Sequence, residues 1–506
     1  MTQSNGATLQ GTTVYFSRHN TIQSNLLSST SLKISQVGFG CYRISTGNEQ
    51  HKKALIKALG QGVNVIDTST NYADGRSEEL VGEVLSQLCS EKKLNREEVV
   101  VVSKVGYLQG QNYEMARQRR RQGRPFPNLV KYSQGLDHCI HPEFIEDQLQ
   151  KSLHRLQLNT IDAYLLHNPE YYLSWAKVAT IPQESAQKEY YKRIKLAFEY
   201  LETAVSEGKI QWYGISSNTF PLTKDEYTFT SLAKVLEIAE SISPEHHFKF
   251  IQLPFNLFET GGLTEQNMPN LESTIAYAEA NNLTVLINRP LNAFHNDQLI
   301  RLADVQPPSY PTTVEEVSTL VDSLVQAEAE FADRWLPILA EDAQTNQQLL
   351  EYLALGQMLD GKWQGFETYQ NWHQLQAQFF IPRAESAIQF LSQHAKASDD
   401  LIDWLNSYVD RFNETLMAVA AFYQEAGAKE ALQIQETAVS ISADWKANTL
   451  SQTAIRALRS TKGVSCTLVG MRQAQYVDDI LADLTVQVEV KDRVEAWQKL
   501  KTLNTE

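Results

Sequence analysis

The 506-residue sequence predicts a (β/α)8 TIM barrel carrying a large acidic all-helical insertion between its seventh and eighth strands. Three observations predict it. Eight short apolar runs, rich in β-branched residues, alternate with amphipathic helical patterns, as a parallel sheet covered on both faces requires. Three of those runs end on an ionisable side chain, Asp67, Lys104 and His167. Such groups do not belong inside a sheet unless they are paired or chemically employed, and the carboxyl ends of parallel strands are where α/β proteins build their sites. Finally, the interval between Asn288 and Val464 far exceeds the roughly 30 residues of a strand–helix–strand unit.

Residues 1–31 are rich in Ser, Thr, Asn and Gln and read as a polar N-terminal extension without the apolar centre of a secretory signal. Arg18 is its only Lys or Arg, which ranks organellar import below a cytoplasmic location. Residues 32–300 carry strands one to seven, expected over 35–39, 63–67, 99–104, 161–167, 211–216, 249–253 and 283–288. Between them, 51–61 puts Ala54, Leu55, Ala58 and Leu59 on one face and stops at Gly62, and 77–88 does the same with Leu80, Val81, Val84, Leu85 and Leu88. Pro142 opens a helix striped by Ile145, Leu149, Leu153 and Leu156, and Ile194, Ala197, Phe198, Leu201 and Val205 form another. Residues 301–450 form the insertion, and 451–506 supply the last barrel helix, strand eight over 464–469 and a C-terminal helix.

The insertion is compositionally distinct. It holds 22 acidic against 8 basic residues, −14 of the chain's net charge of −15, and the remainder is nearly neutral. No basic surplus exists to displace counterions, so general nucleic-acid binding is excluded. Hydrophobic content of 42% and charged content of 21% are those of a soluble globular protein, and no apolar run is long enough to span a membrane. The cysteines, Cys41, Cys89, Cys139 and Cys466, lack paired spacing, which fits a reducing compartment. Within the insertion, Thr313 and Glu316 form a capping box ahead of Val317, Leu320, Val321, Leu324 and Val325. A later stripe runs Leu401, Trp404, Leu405, Tyr408, Phe412, Leu416 and Val419, and five of the eight tryptophans lie between strands seven and eight, read as core filler. Because loops after barrel strands emerge on the catalytic rim, the insertion is expected over or beside the mouth, as a lid or as a platform for a protein partner.

The motifs resemble those of the aldo-keto reductase superfamily over roughly residues 32–300 and 450–485. Gly38-Phe39-Gly40 resembles the family's first strand. Ile66-Asp67-Thr68 with Tyr72, followed by Gly75-Arg76-Ser77-Glu78 and Val81-Gly82, is similar to its most diagnostic segment. The run 161–169 ending Leu166-His167-Asn168-Pro169, then Gly214-Ile215-Ser216-Ser217-Asn218 and Val469-Gly470-Met471-Arg472, match further blocks in order. The insertion has no counterpart in the usual family pattern.

A carbonyl that receives hydride develops negative charge on oxygen and needs a proton donor beside it. Tyrosine is a weak donor at a pKa of about 10, and a neighbouring ammonium lowers that value by stabilising the phenolate. Lys104 would be that ammonium, Asp67 its ion-pair partner, and His167 would orient the substrate oxygen. The resemblance implies the same roles, with Tyr72 as general acid. It also implies NADPH across the barrel mouth, NADH being the second candidate, and a small carbonyl or alcohol as substrate. Ser216, Ser217, Asn218 and Gln252 are carried over as nicotinamide amide contacts, the doubled serine leaving two registers open. Gly470, Met471 and Arg472 are carried over as contacts of the adenosine phosphates. Asn288, followed by Arg289, replaces the aromatic residue that many relatives stack on the nicotinamide. Tyr476, Asp479 and Ile480 stand where relatives carry a basic residue, Glu and Asn, so Arg472 or Arg289 is left to meet a 2′-phosphate.

Two local signals fall outside this scheme. The run 117–124 carries five arginines on the rim side of Lys104, read as a solvated loop or an attractor of anions. Asp137-His138-Cys139-Ile140-His141 has metal-capable side chains at a spacing that matches no standard site, so no metal is assigned. Three function classes stay open: a carbonyl reductase or the reverse dehydrogenase, a cofactor-sensing regulatory subunit, and a scaffold whose insertion binds a partner.

Overall fold

The computed structural model describes residues 6–295, 298–339, 342–393 and 398–505. The chain divides into two compact units, Met1–Leu302 with Thr437–Glu506, and Ala303–Glu436.

The first unit is a closed barrel of eight parallel strands in sequence order. These are β1 (Val37–Gly40), β2 (Val65–Asp67), β3 (Val100–Val105), β4 (Ile161–His167), β5 (Ile210–Ser216), β6 (Phe248–Pro254), β7 (Thr284–Asn288) and β8 (Cys466–Val469), with β8 closing on β1. A helix follows each strand: α1 (Glu49–Gly60), α2 (Arg76–Ser90), α3 (Pro142–Leu156), α4 (Gln183–Ser206), α5 (Leu232–Ile242), α6 (Thr274–Ala280), α7 (Leu450–Arg459) and α8 (Ala474–Leu484). Every residue of β3 and β4 is buried, which is why these strands read as apolar runs instead of alternating patterns.

The barrel interior is packed by Val65, Val100, Val102, Ala163, Leu165, Phe250, Leu286, Cys466 and Leu468. Side chains two apart on a strand share a face. Continuing each row by two residues toward the carboxyl end therefore reaches Asp67, Lys104, His167, Gln252, Asn288 and Gly470. The polar site is the top interior layer of the core, and apolar layers beneath it hold it in place. On β1 the interior position is Gly38, where a Cβ would sit 2.8 Å from Leu468 Cδ2.

The amino-terminal end of the barrel is plugged. Ser24–Leu26 pairs antiparallel with Lys33–Ser35, and Leu27, Leu32 and Ile34 join the interior cluster. The first strand, expected over 35–39, is thus split: Ser35 belongs to the plug and the barrel strand begins at Val37. Gln36 makes the break, its side chain donating to Asn25 at 3.0 Å and accepting from buried Arg459 at 2.9 Å. Within the stretch read as a polar extension lies the helix Leu9–Arg18, whose buried Tyr15 donates to Leu59 O at 2.6 Å.

The second unit has its own core. Thr313 caps Val314–Glu330 through the expected box with Glu316, and Leu401, Trp404, Leu405, Tyr408, Phe412, Leu416 and Val419 all enter that core. Trp335, Trp363, Trp372 and Trp404 do likewise, whereas Trp445 packs on Trp497 in the barrel unit, 5.1 Å between ring centroids. No helix among the described residues is long and apolar enough to cross a membrane.

Candidate active site

Lys104 has no exposed surface and is the hub of the layer. Its Nζ donates to Asp67 Oδ2 at 2.7 Å, to Thr68 O at 2.9 Å and to Tyr72 Oη at 3.2 Å. Three acceptors satisfy the three ammonium protons, so the buried charge is fully partnered. Burial pulls the Lys104 ammonium down, but Asp67 and Tyr72 outweigh it and its pKa is raised. For Tyr72 the balance differs from the sequence expectation. Burial pushes the phenol up to about 12, and Lys104 only moderates that rise. The ammonium lowers the value relative to a buried tyrosine, not relative to a free one.

Tyr72 is brought to Lys104 by an unusual turn. Ala73 and Asp74 both adopt left-handed backbone, at φ of 50° and 57°, before Gly75 at φ 90° starts α2. Single left-handed residues outside glycine are uncommon, and two in succession mark a segment over-determined by its surroundings. Much of the recognisable motif that follows is support for this turn. Ser77 donates to Cys41 O at 3.0 Å, and buried Glu78 accepts from Ser103 at 2.5 Å and from Arg155 Nε at 2.7 Å. Gly82 lies directly against Arg155 O and Leu156 of α3, leaving no room for a Cβ.

His167 ends β4 opposite Ser216 and is buried. Its ring lies edge-on to Tyr72 at 5.9 Å and to Tyr107 at 4.7 Å, and Nδ1 is 3.0 Å from Ser69 Oγ. Burial, then the charges of Lys104 and His138, hold its pKa well below the ordinary histidine value, so the ring is neutral. His138 Nε2 donates to His167 O at 2.8 Å. That contact gives a structural use to the segment flagged for metal-capable residues: His141 Nδ1 accepts from Glu143 N at the start of α3, and Asp137 pairs with Arg120 at 3.3 Å. Among the described residues no cluster of His, Cys, Asp or Glu is arranged to hold a metal ion. The arginine run is likewise engaged, Arg117 with Glu114 at 2.9 Å and Arg119 with Glu143.

A second set faces the same mouth. Ser216 Oγ donates to Gln252 Oε1 at 3.0 Å, and Gln252 Nε2 donates to Asp67 Oδ1 at 2.8 Å. Asn288 Nδ2 reaches Gln252 Oε1 at 3.5 Å, while Asn288 Oδ1 is buried without a partner. An orphaned buried acceptor beside a hydroxyl and a second amide is suited to a ligand that carries its own amide. The doubled serine is sorted by geometry: Ser216 faces Gln252, whereas Ser217 turns to Thr219, 3.1 Å between hydroxyls. Asn218 N donates to buried Glu170 at 2.8 Å.

Of the remaining carried-over positions, Arg289 borders this set, its Nη1 donating to Asn218 Oδ1 at 3.5 Å. Arg289 pairs with Glu259, which spends its charge locally. The Cβ position of Gly470 is open, Met471 is buried and Arg472 is exposed. Asp479 accepts from Ser451, from Thr449 at 3.1 Å and from Gln452 at 2.9 Å, tying α8 to the start of α7. Arg301 is held below its ordinary value by burial and by neighbouring Arg43 and Arg472, with Tyr476 opposing. A buried guanidinium with Arg43 and Arg472 beside it marks a place suited to an anion.

Sequence reasoning missed Ser69, Asn71, Tyr107, His138 as a support, Glu170, Arg43 and Arg301. Ser69 and Asn71 were findable, since they sit between Asp67 and Tyr72 at a strand end. Tyr107 depends on a three-stranded antiparallel sheet (Tyr107–Leu108, Val130–Ser133, Leu136–His138) that no periodicity announces.

A family model described as the aldo/keto reductase family matches residues 36–303. The Bacillus subtilis aldo-keto reductase YhdN is 24% identical over 267 residues, 52% of this chain and 60% of that protein. The B. subtilis uncharacterized oxidoreductase YqkF is 28% identical over 191 residues, 38% and 47% of the two chains. An NADH-specific methylglyoxal reductase of Escherichia coli is 32% identical over 149 residues, 28% and 40%. The chain thus spans about half the length of the curated relatives it matches.

Proposed function

The chain belongs to the aldo/keto reductase family, and on that premise we propose that it is a nicotinamide-dependent oxidoreductase interconverting a small carbonyl compound and its alcohol. The observation that carries this reading is Lys104 Nζ, in hydrogen-bond contact with Asp67 and the Tyr72 hydroxyl at once. With the Tyr72 oxygen accepting from Lys104, its own proton is free to point at a substrate oxygen. As that oxygen gains charge Tyr72 donates to it, and the phenolate left behind rests on the Lys104 ammonium. Asp67 keeps Lys104 charged inside the barrel. His167 hydrogen-bonds the same substrate oxygen and fixes its approach.

The cofactor is proposed to be NADPH, with NADH as the second to test, given that a relative is named for NADH specificity. When bound it supplies or accepts the hydride. Ser216, Gln252 and Asn288 would hold its carboxamide, Asn288 Oδ1 being the acceptor that lacks a partner. Gly470, Met471 and Arg472, with Arg301 and Arg43 near Arg472, would meet its phosphates. Ser217, Arg289 and Asp479, each already engaged, are assigned secondary parts.

Titration of the chain with NADPH and NADH, followed by fluorescence, and then a panel of aldehydes and ketones tests the reading. Saturable binding with carbonyl-dependent oxidation is expected. Binding without turnover of any carbonyl or alcohol would replace the enzyme by a cofactor sensor, and no binding would overturn the reading altogether.

A further inference from the structure

His167 has two ring nitrogens with different tasks. Nε2 is the one left for a substrate, and Nδ1 lies 3.0 Å from the hydroxyl of Ser69. A neutral imidazole carries its proton on one nitrogen only, so the role Ser69 plays at Nδ1 decides whether Nε2 donates or accepts. Ser69 is buried, and its Oγ also lies 2.7 Å from Asn71 Oδ1 and, as a longer and weaker contact, 3.4 Å from Lys104 O. Asn71 Nδ2 in turn lies 3.0 Å from Gln109 Oε1 at the edge of the site. The four side chains form one directed chain of hydrogen bonds from the surface to the ring.

That chain runs in either direction. With Asn71 donating to Gln109 and Ser69 donating to Asn71, Nδ1 must donate to Ser69 and Nε2 is bare. Turning both amides by 180° exchanges oxygen for nitrogen in place. Gln109 then donates to Asn71, Asn71 to Ser69 and Ser69 to Nδ1, and Nε2 carries the proton. A carbonyl oxygen only accepts, so orienting it requires the second polarity.

We propose that Ser69 and Asn71 are positioning residues that set the tautomer of His167. The carbonyl-orienting part of this rests on the function proposed above; the tautomer itself does not. Asn71 is suited to the task because an amide presents a donor or an acceptor, whereas a carboxylate in its place only accepts. The other titratable groups facing the ring are Lys104 from β3, Tyr72 after β2, and Tyr107 and His138 after β3. They remain unchanged in the variants below.

The test is the nitrogen spectrum of 15N-histidine-labelled full-length chain without cofactor or substrate, with His167 assigned by its loss in His167→Gln. Asn71→Asp should fix the ring as the Nδ1–H tautomer, Ser69→Ala should change the tautomer ratio, and Ser69→Thr should restore it. In turnover, Asn71→Asp should lower kcat/KM for a carbonyl roughly tenfold at neutral pH, the size expected for one buried hydrogen bond. The deficit should shrink toward acid pH, where the introduced carboxyl takes up a proton and can donate to Ser69 again. A His167 tautomer identical in wild type, Ser69→Ala and Asn71→Asp would overturn the proposal. Should Ser69→Ala fail to fold, Asn71→Asp at a half-exposed position gives the same readout alone. Because the spectrum needs no turnover, an inactive wild type would defeat the proposed function and leave this assignment to be judged on the spectrum.

Discussion

Gln252 donates a hydrogen bond to Asp67, 2.8 Å from the end of β6 to the end of β2. Asp67 thereby has one oxygen held by Gln252 and the other by Lys104, and Gln252 has its own oxygen held by Ser216. The amide set facing the proposed nicotinamide and the pair governing proton transfer are one network, Ser216–Gln252–Asp67–Lys104–Tyr72. Members of a shared network are not energetically independent.

Gln252→Leu should therefore weaken two properties together. Loss of the amide leaves Asp67 Oδ1 buried without a donor, a penalty of about 1–3 kcal/mol, and removes a carboxamide contact. Nicotinamide affinity and kcat should each fall about tenfold or more. Gln252→Glu should be worse in kcat, since a second carboxylate faces Asp67. Transient kinetics separate the two quantities, and a change confined to cofactor binding would show that Gln252 does not support Asp67.

Tyr72→Phe removes the proposed proton donor while keeping the ring that packs on Tyr42 and His167. Turnover of a carbonyl should fall by roughly 10²–10⁴, with cofactor affinity within about twofold, because the hydroxyl acts on charge that develops only in the transition state. Wild-type single-turnover rates in this variant would sink the assignment.

How far the site was readable follows from chemistry that repeats. Asp67, Lys104 and His167 stood out because an ionisable residue at the end of a β-branched run violates its surroundings, and the rows beneath them in the barrel explain why all three face one way. Ser216 against Ser217 could not be separated, because which serine faces inward depends on strand register, and one residue of slip turns every side chain over. Arg289 looked available as a cation, yet its partner Glu259 lies thirty positions away with no pattern linking them. The split of the first strand at Gln36 was invisible for the same reason, since Asn25 and Arg459 come from distant parts of the chain.

The pH dependence has a definite sign. Tyr72 donates when protonated, and with its pKa pushed up to about 12 it stays protonated across the ordinary range. Carbonyl reduction should accordingly show no alkaline loss from this group between pH 6 and about 9, whereas alcohol oxidation, which needs the phenolate, should climb steadily over the same interval. Lys104→Met removes an opposing charge, so the phenol should rise further and oxidation at a given pH should drop. An alkaline loss of reduction near pH 8 in single-turnover measurements, unchanged in Lys104→Met, would assign the titration to another group.

The helical unit offers a test of stability instead of catalysis. Glu328 is buried, accepting from Gly356 N at 2.5 Å, from Gln357 N at 3.2 Å and from Tyr408 Oη at 3.3 Å. Burial outweighs these donors and raises its pKa from 4.5 to about 7. For an acid whose folded value is raised, the folded state binds the proton more tightly, so stability is full below the unfolded pKa and declines as pH climbs to the folded one. The unit should lose on the order of 3 kcal/mol between pH 4.5 and about 7. Glu328→Gln cannot ionise, and it also loses one acceptor facing a backbone N–H, at about 1 kcal/mol. The two stability curves should therefore cross, the variant being less stable than wild type at pH 4 and more stable at pH 8. Hydrogen exchange over Leu355–Leu359, the segment whose start Glu328 holds, reads this locally. Parallel curves with no crossing would mean that Glu328 is held as the carboxylate and that its donors, not its burial, decide its protonation.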